Sequence, residues 1–175
     1  MYFWKSALPI LGVCLALWGL AAHAGPTTVL EVKIELRVLD FISDPADRSA
    51  VAVLYDHDDQ QSEEDAAAIL KSLQDASALA RTKIAPRLVE RRSLATAGDL
   101  KAVILPAGLL YDGIMQYGIA NRTLVMSSGT GCVREHRCMV GVTAQPEVEI
   151  GVDAAAVRAG HIQFADGFQL MVKEY

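Results

Sequence analysis

The chain has 175 residues, 52% of them hydrophobic, with 16 basic and 21 acidic side chains and a net charge of −5 at pH 7. That length suits one domain with a sizeable core. The acidic balance argues against nucleic acid or an anionic lipid surface as the partner.

Residues 1–24 read as a secretory signal peptide. Lys5 supplies the positive start, residues 7–20 are apolar and uncharged, and Ala22-His23-Ala24 is a small-x-small cleavage pattern ahead of Gly25. An uncleaved anchor is the rival, but the run is short for a membrane span. Cys14 lies midway in the apolar run behind Val13, where lipoprotein processing wants a small residue. Cleavage removes Trp4, Trp18, Cys14 and Lys5, which leaves Cys132 and Cys138 as the remaining cysteines and makes the chain one charge more acidic. Residues 25–175 are then a single domain, exported to the periplasm.

Within residues 29–42, Val32, Ile34, Leu36 and Val38 alternate with Lys33, Glu35 and Arg37. Alternation of this kind predicts a half-buried strand. Leu30, Ile34, Val38 and Phe41 also fall near one helical stripe, so a helix is the alternative. After the break at residues 43–49, "AVAVLY" (50–55) is a continuous apolar run, as expected of a strand covered on both faces. Residues 62–80 read as a helix with Ser62 and Asp65 as a capping box and Ala66, Ile69, Leu70 and Leu73 as the buried stripe. "APRLVERRSL" is a weaker strand and "KAVILP" (101–106) a buried one. Residues 108–120 read as a helix with Leu109, Leu110, Ile114 and Tyr117 inward, followed by a strand at "RTLVMSS". "CMVGVT" and "EVEIGV" form a strand pair turning at Gln145-Pro146. Asp153 caps a short helix that ends at Gly160, the C′ residue. "HIQF" is a last strand, and a terminal amphipathic helix carries Phe168, Leu170 and Met171. Strands alternating with helices predict an α/β sandwich around a mostly parallel sheet, with ligands collecting at the carboxyl ends of strands.

Four constellations carry chemistry. Cys132 and Cys138 would form a disulfide in an oxidising compartment, closing a short loop and stabilising by ~2 kcal/mol. Between them, Arg134, Glu135, His136 and Arg137 are too polar for a core and form a possible partner-facing surface. Alternatively Cys132, His136 and Cys138 are three soft ligands for zinc or copper, with His57 or His161 as a fourth. Residues 127–131, Ser127-Ser128-Gly129-Thr130-Gly131, offer hydroxyls and approachable N–H groups for a small anion. They lack the Lys-Ser/Thr ending of a phosphate loop and the G-x-S-x-G of a nucleophile elbow. Asp56 and Asp58, directly after a buried strand, sit where magnesium-dependent phosphatases place carboxylates, although a solvated helix start explains them as well. Spacing assembles no nucleophile–base pair and no complete metal set, so the expectation is a protein that is not an enzyme and needs no cofactor.

The segment "EVEIGVDAAAVRAGHIQFADGFQL" resembles the closing part of YfiR-type periplasmic proteins. Val152, Asp153, Ala155, Ala156, Ala159, Gly160, Ile162, Phe164 and Leu170 fall where that pattern wants them, and the Ser-Ser turn with closely spaced Cys132 and Cys138 is similar. The resemblance covers residues 99–172. The N-terminal half departs: residues 41–45 keep the family's proline without its tryptophan. The resemblance implies that residues 31–42 are helix rather than strand. It also implies a regulator, often dimeric, that binds the sensor part of an inner-membrane diguanylate cyclase and holds it inactive, lowering cyclic di-GMP and biofilm. The rival classes are a single-lobe periplasmic solute-binding protein for a small anion, using Ser127, Ser128 and Thr130, and a hydrolase using Asp56 and Asp58.

Overall fold

Residues 29–40 are helical, and the strand read from their alternation is corrected. In the computed structural model, which describes residues 25–43, 46–78, 80–109 and 111–175, α1 spans Val29–Asp40. Thr28 and Glu31 close a reciprocal capping box: Glu31 N–H donates to Thr28 Oγ1 at 3.2 Å, and Thr28 N–H donates to Glu31 Oε2 at 2.8 Å. Val32, Glu35, Leu36, Val38 and Leu39 are buried, a stripe of helical period. The signal segment, with Cys14, and also Pro45 and Leu110 lie outside the described residues.

β1 (Ala50–Tyr55) follows, then α2 (Gln60–Ser77), whose N-cap is Asp59 rather than Ser62. Asp59 Oδ1 accepts from Gln61 N–H and Ser62 N–H. Ser62 is instead buried, and its hydroxyl oxygen accepts from Asp56 N–H at 2.8 Å. β2 (Ala85–Glu90) runs into a 3-10 turn at Arg91–Thr96, and β3 (Ala102–Leu105) is buried throughout. The helix expected at 108–120 is only α3, Ile114–Asn121, because Gly108 and Gly113 hold φ of 79° and 81° and end any helical run before it.

β4 (Leu124–Ser128), the single turn α4 (Gly131–Arg134), β5 (Val140–Thr143), β6 (Glu149–Val152) and α5 (Ala154–Ala159) complete most of the order. Asp153 caps α5 as read, its Oδ1 accepting from Ala156 N–H at 2.8 Å. Gly160 is right-handed, at φ −78°, and the left-handed residue is His161. "HIQF" contributes one bridge, Ile42 to Phe164, rather than a strand. The terminal helix is replaced by a 3-10 turn at Phe168–Met171 and a short β7 (Lys173–Glu174) beside β6. Only Phe168 of that stripe is buried, stacked on Phe164 at 4.1 Å, while Leu170 is 91% exposed. Without a surface to cover, the amphipathic pattern has nothing to hold it helical.

The seven strands form one sheet in the order β2-β1-β3-β4-β5-β6-β7, and the fold is a single-domain, mostly parallel α/β sandwich. β2, β1, β3, β4 and β5 are mutually parallel; β6 is antiparallel to β5. α1 and α2 pack together on one face, and α3 and α5 meet on the other. Leu54, Ile69, Leu73, Ile104 and Leu124 are fully withdrawn from water, each contributing roughly 1.5–3 kcal/mol. Gly118 lets α3 lie directly on the sheet: a Cβ there would come within 2.5 Å of Val125 Cγ2 and 2.9 Å of Thr123 O. At the amino edge, Arg48 donates to Leu100 O and Arg122 O at 2.7 Å each and to Asn121 O at 3.3 Å, tying β1, β3 and β4 together.

Candidate functional site

The parallel strands bring their carboxyl ends to one edge. The loops read as sites from sequence, after residues 55, 105 and 128, all emerge there. Because β2 and β3 lie on opposite sides of β1, a topological switch point falls between β1 and β3, where open α/β sheets leave a crevice.

The 127–131 loop is tightly built. Ser127 hydroxyl donates to Leu105 O and Ser128 hydroxyl to Glu35 Oε1, each at 3.3 Å. Gly129 N–H bonds Val142 O, and Thr130 N–H donates to Thr143 Oγ1 at 3.2 Å. Arg134 donates to Thr130 Oγ1 at 3.0 Å. The Ser127 and Ser128 hydroxyls and the Gly129 and Thr130 N–H groups are thus engaged within the protein. What remains beside them is a cavity of about 230 Å³ touching Ser128, Gly129, Thr143 and Gln145. The loop lies close over β5: a Cβ on Gly141 would meet Gly129 O at 2.6 Å.

Cys132 and Cys138 are at bonding distance, 1.98 Å between sulfurs. The segment they close presents Arg134, Glu135 and His136 to solvent, with Arg137 half-buried and 3.8 Å from Asp112. His136 takes a left-handed φ of 54° and places Nδ1 2.7 Å from Asp153 Oδ2, so the loop is pinned to the cap of α5. With both sulfurs joined, Cys132, His136 and Cys138 do not present a ligand set. Among the described residues no three His, Cys, Asp or Glu side chains are arranged to hold a metal. His57 lies on the carboxyl edge by Glu63, whereas His161 lines a cavity at the amino edge with Arg48.

Asp56 and Asp58 do not converge. Asp56 Oδ2 is 3.3 Å from Arg91 Nη1, Asp58 pairs with Arg92, and Asp56 Oδ1 accepts from Asp58 N–H at 3.1 Å.

Two residues that the sequence reading passed over stand out. Glu35 is fully buried on α1, its Oε2 without a partner among the described residues. Burial pushes its carboxyl up to about 8; the Ser128 hydrogen bond pulls the other way, and the nearby Glu31 charge adds to the rise. Tyr111, after β3, is 8% exposed, and Arg91 stacks on its ring at 4.9 Å. Burial raises its phenol to about 12, opposed by Ser62, so it is a neutral donor at physiological pH. Reading 29–40 as helix would have put Glu35 on the apolar stripe and flagged it.

No protein-family model and no curated protein matches the sequence. A solved structure does match in fold. It is the ABC domain from Streptococcus pneumonia in complex with L-Trp, at TM-score 0.60 and 9% identity, over 82% of this chain and 60% of that one. The chain thus spans about three-fifths of that neighbour's length, and the likeness concerns the α/β fold alone. Among the described residues no helix is long and apolar enough to cross a membrane.

Proposed function

We propose that the protein is a periplasmic regulatory domain that binds the sensor part of an inner-membrane diguanylate cyclase and holds it inactive, restraining cyclic di-GMP and biofilm. The supporting observation is the disulfide-closed segment. It holds Arg134, Glu135 and His136 outward on a backbone pinned at Cys132–Cys138 and at His136–Asp153. A preordered charged loop loses little entropy on docking, which favours recognition of another protein. The serine hydroxyls and the Asp56 and Asp58 carboxylates are already engaged inside the protein, so the reading assigns no catalytic step. The resemblance to YfiR-type proteins supplies the identity of the partner.

Deleting the gene should raise cellular cyclic di-GMP, and the wild-type gene should restore it. A variant with Arg134→Glu and Arg137→Glu should be exported and folded yet fail to restore it. Unchanged cyclic di-GMP on deletion, or full restoration by the charge-reversed variant, sinks the proposal.

A second reading, a single-lobe solute-binding protein, draws support from the fold neighbour solved with L-Trp. A saturable thermal shift with L-Trp, abolished by Ser128→Ala, would favour it.

A further inference from the structure

α1 is fastened more firmly at one end than at the other. At its carboxyl end Asp40 Oδ1 accepts from Arg81 N–H at 3.0 Å and from Thr82 N–H at 2.9 Å. The chain just beyond is tied as well: Ala165 N–H donates to Phe41 O at 2.7 Å, and Ser43 N–H donates to Gln163 O at 2.8 Å. The amino end is held lightly. Among the described residues, two hydrogen bonds join residues 25–36 to the rest of the domain. Ala107 N–H donates to Thr27 Oγ1 at 3.2 Å, and the Ser128 hydroxyl donates to Glu35 Oε1 at 3.3 Å. Val29 and Leu30 are exposed, so Val32 and Leu36 are the buried apolar side chains that hold this half down. A cavity of about 230 Å³ lies beside the same end, touched by Thr28 and Glu31 on one side and by Ser128 and Gly129 on the other.

Glu35 closes the seam between this half of α1 and the end of β4. Its side chain is withdrawn from solvent, and Oε2 has no partner among the described residues. The elements packed on it supply no compensating cation. α2 turns Ala66, Ile69 and Leu73 inward, β4 ends in Met126, Ser127 and Ser128, and β5 carries Val140, Gly141, Val142 and Thr143. The charge that bears on Glu35 is Glu31, one turn earlier on α1, and it has the same sign. A protonated carboxyl is tolerated in such a place, whereas a carboxylate needs water. The lightly held end is the shortest way to water: lifting it uncovers Val32 and Leu36 and leaves the sheet whole.

We propose that Glu35 is the latch of a pH-operated hinge: with its carboxyl protonated the amino half of α1 lies closed over the end of β4, and loss of the proton swings residues 27–36 outward about the anchor at Asp40 and Phe41. Burial holds the closed group at about 8, and opening to water returns it towards 4.5. The closed form is therefore favoured below that window; opening grows easier as pH rises through it and levels off above. Between pH 6 and pH 9 the open population should grow about a hundredfold. The hinge is independent of the regulator reading and meets the 127–131 loop through Ser128.

The test is hydrogen exchange of the purified protein at pH 6 and pH 9, resolved along the chain and corrected for the intrinsic pH dependence of amide exchange. The amides of residues 32–36 should lose about a hundredfold in protection at the higher pH. Those of β1 and β3, which open only with the whole domain, should stay at least about tenfold better protected at both pH values. In Glu35→Gln the protection of residues 32–36 should be equal at the two pH values. Should that variant not fold, Ser128→Ala serves: it removes the hydrogen bond that favours the carboxylate and should deepen the loss seen in the wild type. Equal protection of residues 32–36 at both pH values in the wild type overturns the proposal. It is equally overturned if those residues exchange in step with β1 and β3, or if Glu35→Gln loses as much protection as the wild type.

Discussion

Glu35→Gln should flatten the pH dependence of stability. Burial in the fold pushes the Glu35 carboxyl up to about 8, against 4.5 for the same group exposed to water in the unfolded chain. Between those two values the folded state keeps a proton that the unfolded chain has released. Stability therefore falls as pH rises through that window, and the loss is complete once the folded group ionises. At 1.36 kcal/mol per pH unit the carboxyl costs about 3 kcal/mol at pH 7 and about 5 kcal/mol at pH 9. Glutamine has nearly the same shape and cannot ionise. Its amide adds a buried donor where Oε2 now has no partner among the described residues. That adds a pH-independent penalty of about 1 kcal/mol, small because the protonated carboxyl already places an unsatisfied group there. The variant should thus match or slightly trail the wild type at pH 5 and exceed it by several kcal/mol at pH 9. Urea unfolding followed by circular dichroism at half-unit steps from pH 5 to 9 measures this. Parallel curves for the two proteins would refute the reasoning, since they would mean that Glu35 ionises in the fold as it does in water.

Gly118→Ala should destabilise by about 1–3 kcal/mol, because its methyl meets Val125 and Thr123 O and α3 must lift from β4; chemical denaturation reads it, and an unchanged midpoint contradicts that packing. Arg48→Ala removes the donor from Leu100 O, Asn121 O and Arg122 O and should cost about 2 kcal/mol, partly screened by solvent. The Cys132→Ser, Cys138→Ser double variant should still fold but lose about 2 kcal/mol, and its melting temperature should fall by about 4–8 °C. Thiol titration of the exported protein should find no free thiol, and finding two would return the loop to the metal alternative.

Much of the framework was legible in the residues themselves. Continuous apolar runs at 50–55 and 102–105 suit strands covered on both faces, and they form β1 and β3, adjacent interior strands of the sheet. Asp153 ahead of "AAAVRA" caps a helix by purely local chemistry. The closeness of Cys132 and Cys138 follows from a separation of six residues. Local pattern failed where two periods coincide. Val32, Leu36 and Val38 satisfy a strand's alternation and lie within a helix's stripe, and α1 is selected because it covers β4 and β5 and packs on α2. The terminal stripe of Phe168, Leu170 and Met171 was amphipathic but had no surface to meet, so it became a turn and an edge strand. Glu35 against Ser128 and His136 against Asp153 join residues 93 and 17 positions apart, and Arg91 reaches Tyr111 across the switch point. Sequence alone determined the strands β1 to β6, the Asp153 cap and the disulfide pair, because these depend on near neighbours. The burial of Glu35, the pinned loop and the crevice at β1 and β3 were settled only by tertiary structure, because desolvation and close approach depend on which distant elements the sheet order brings together.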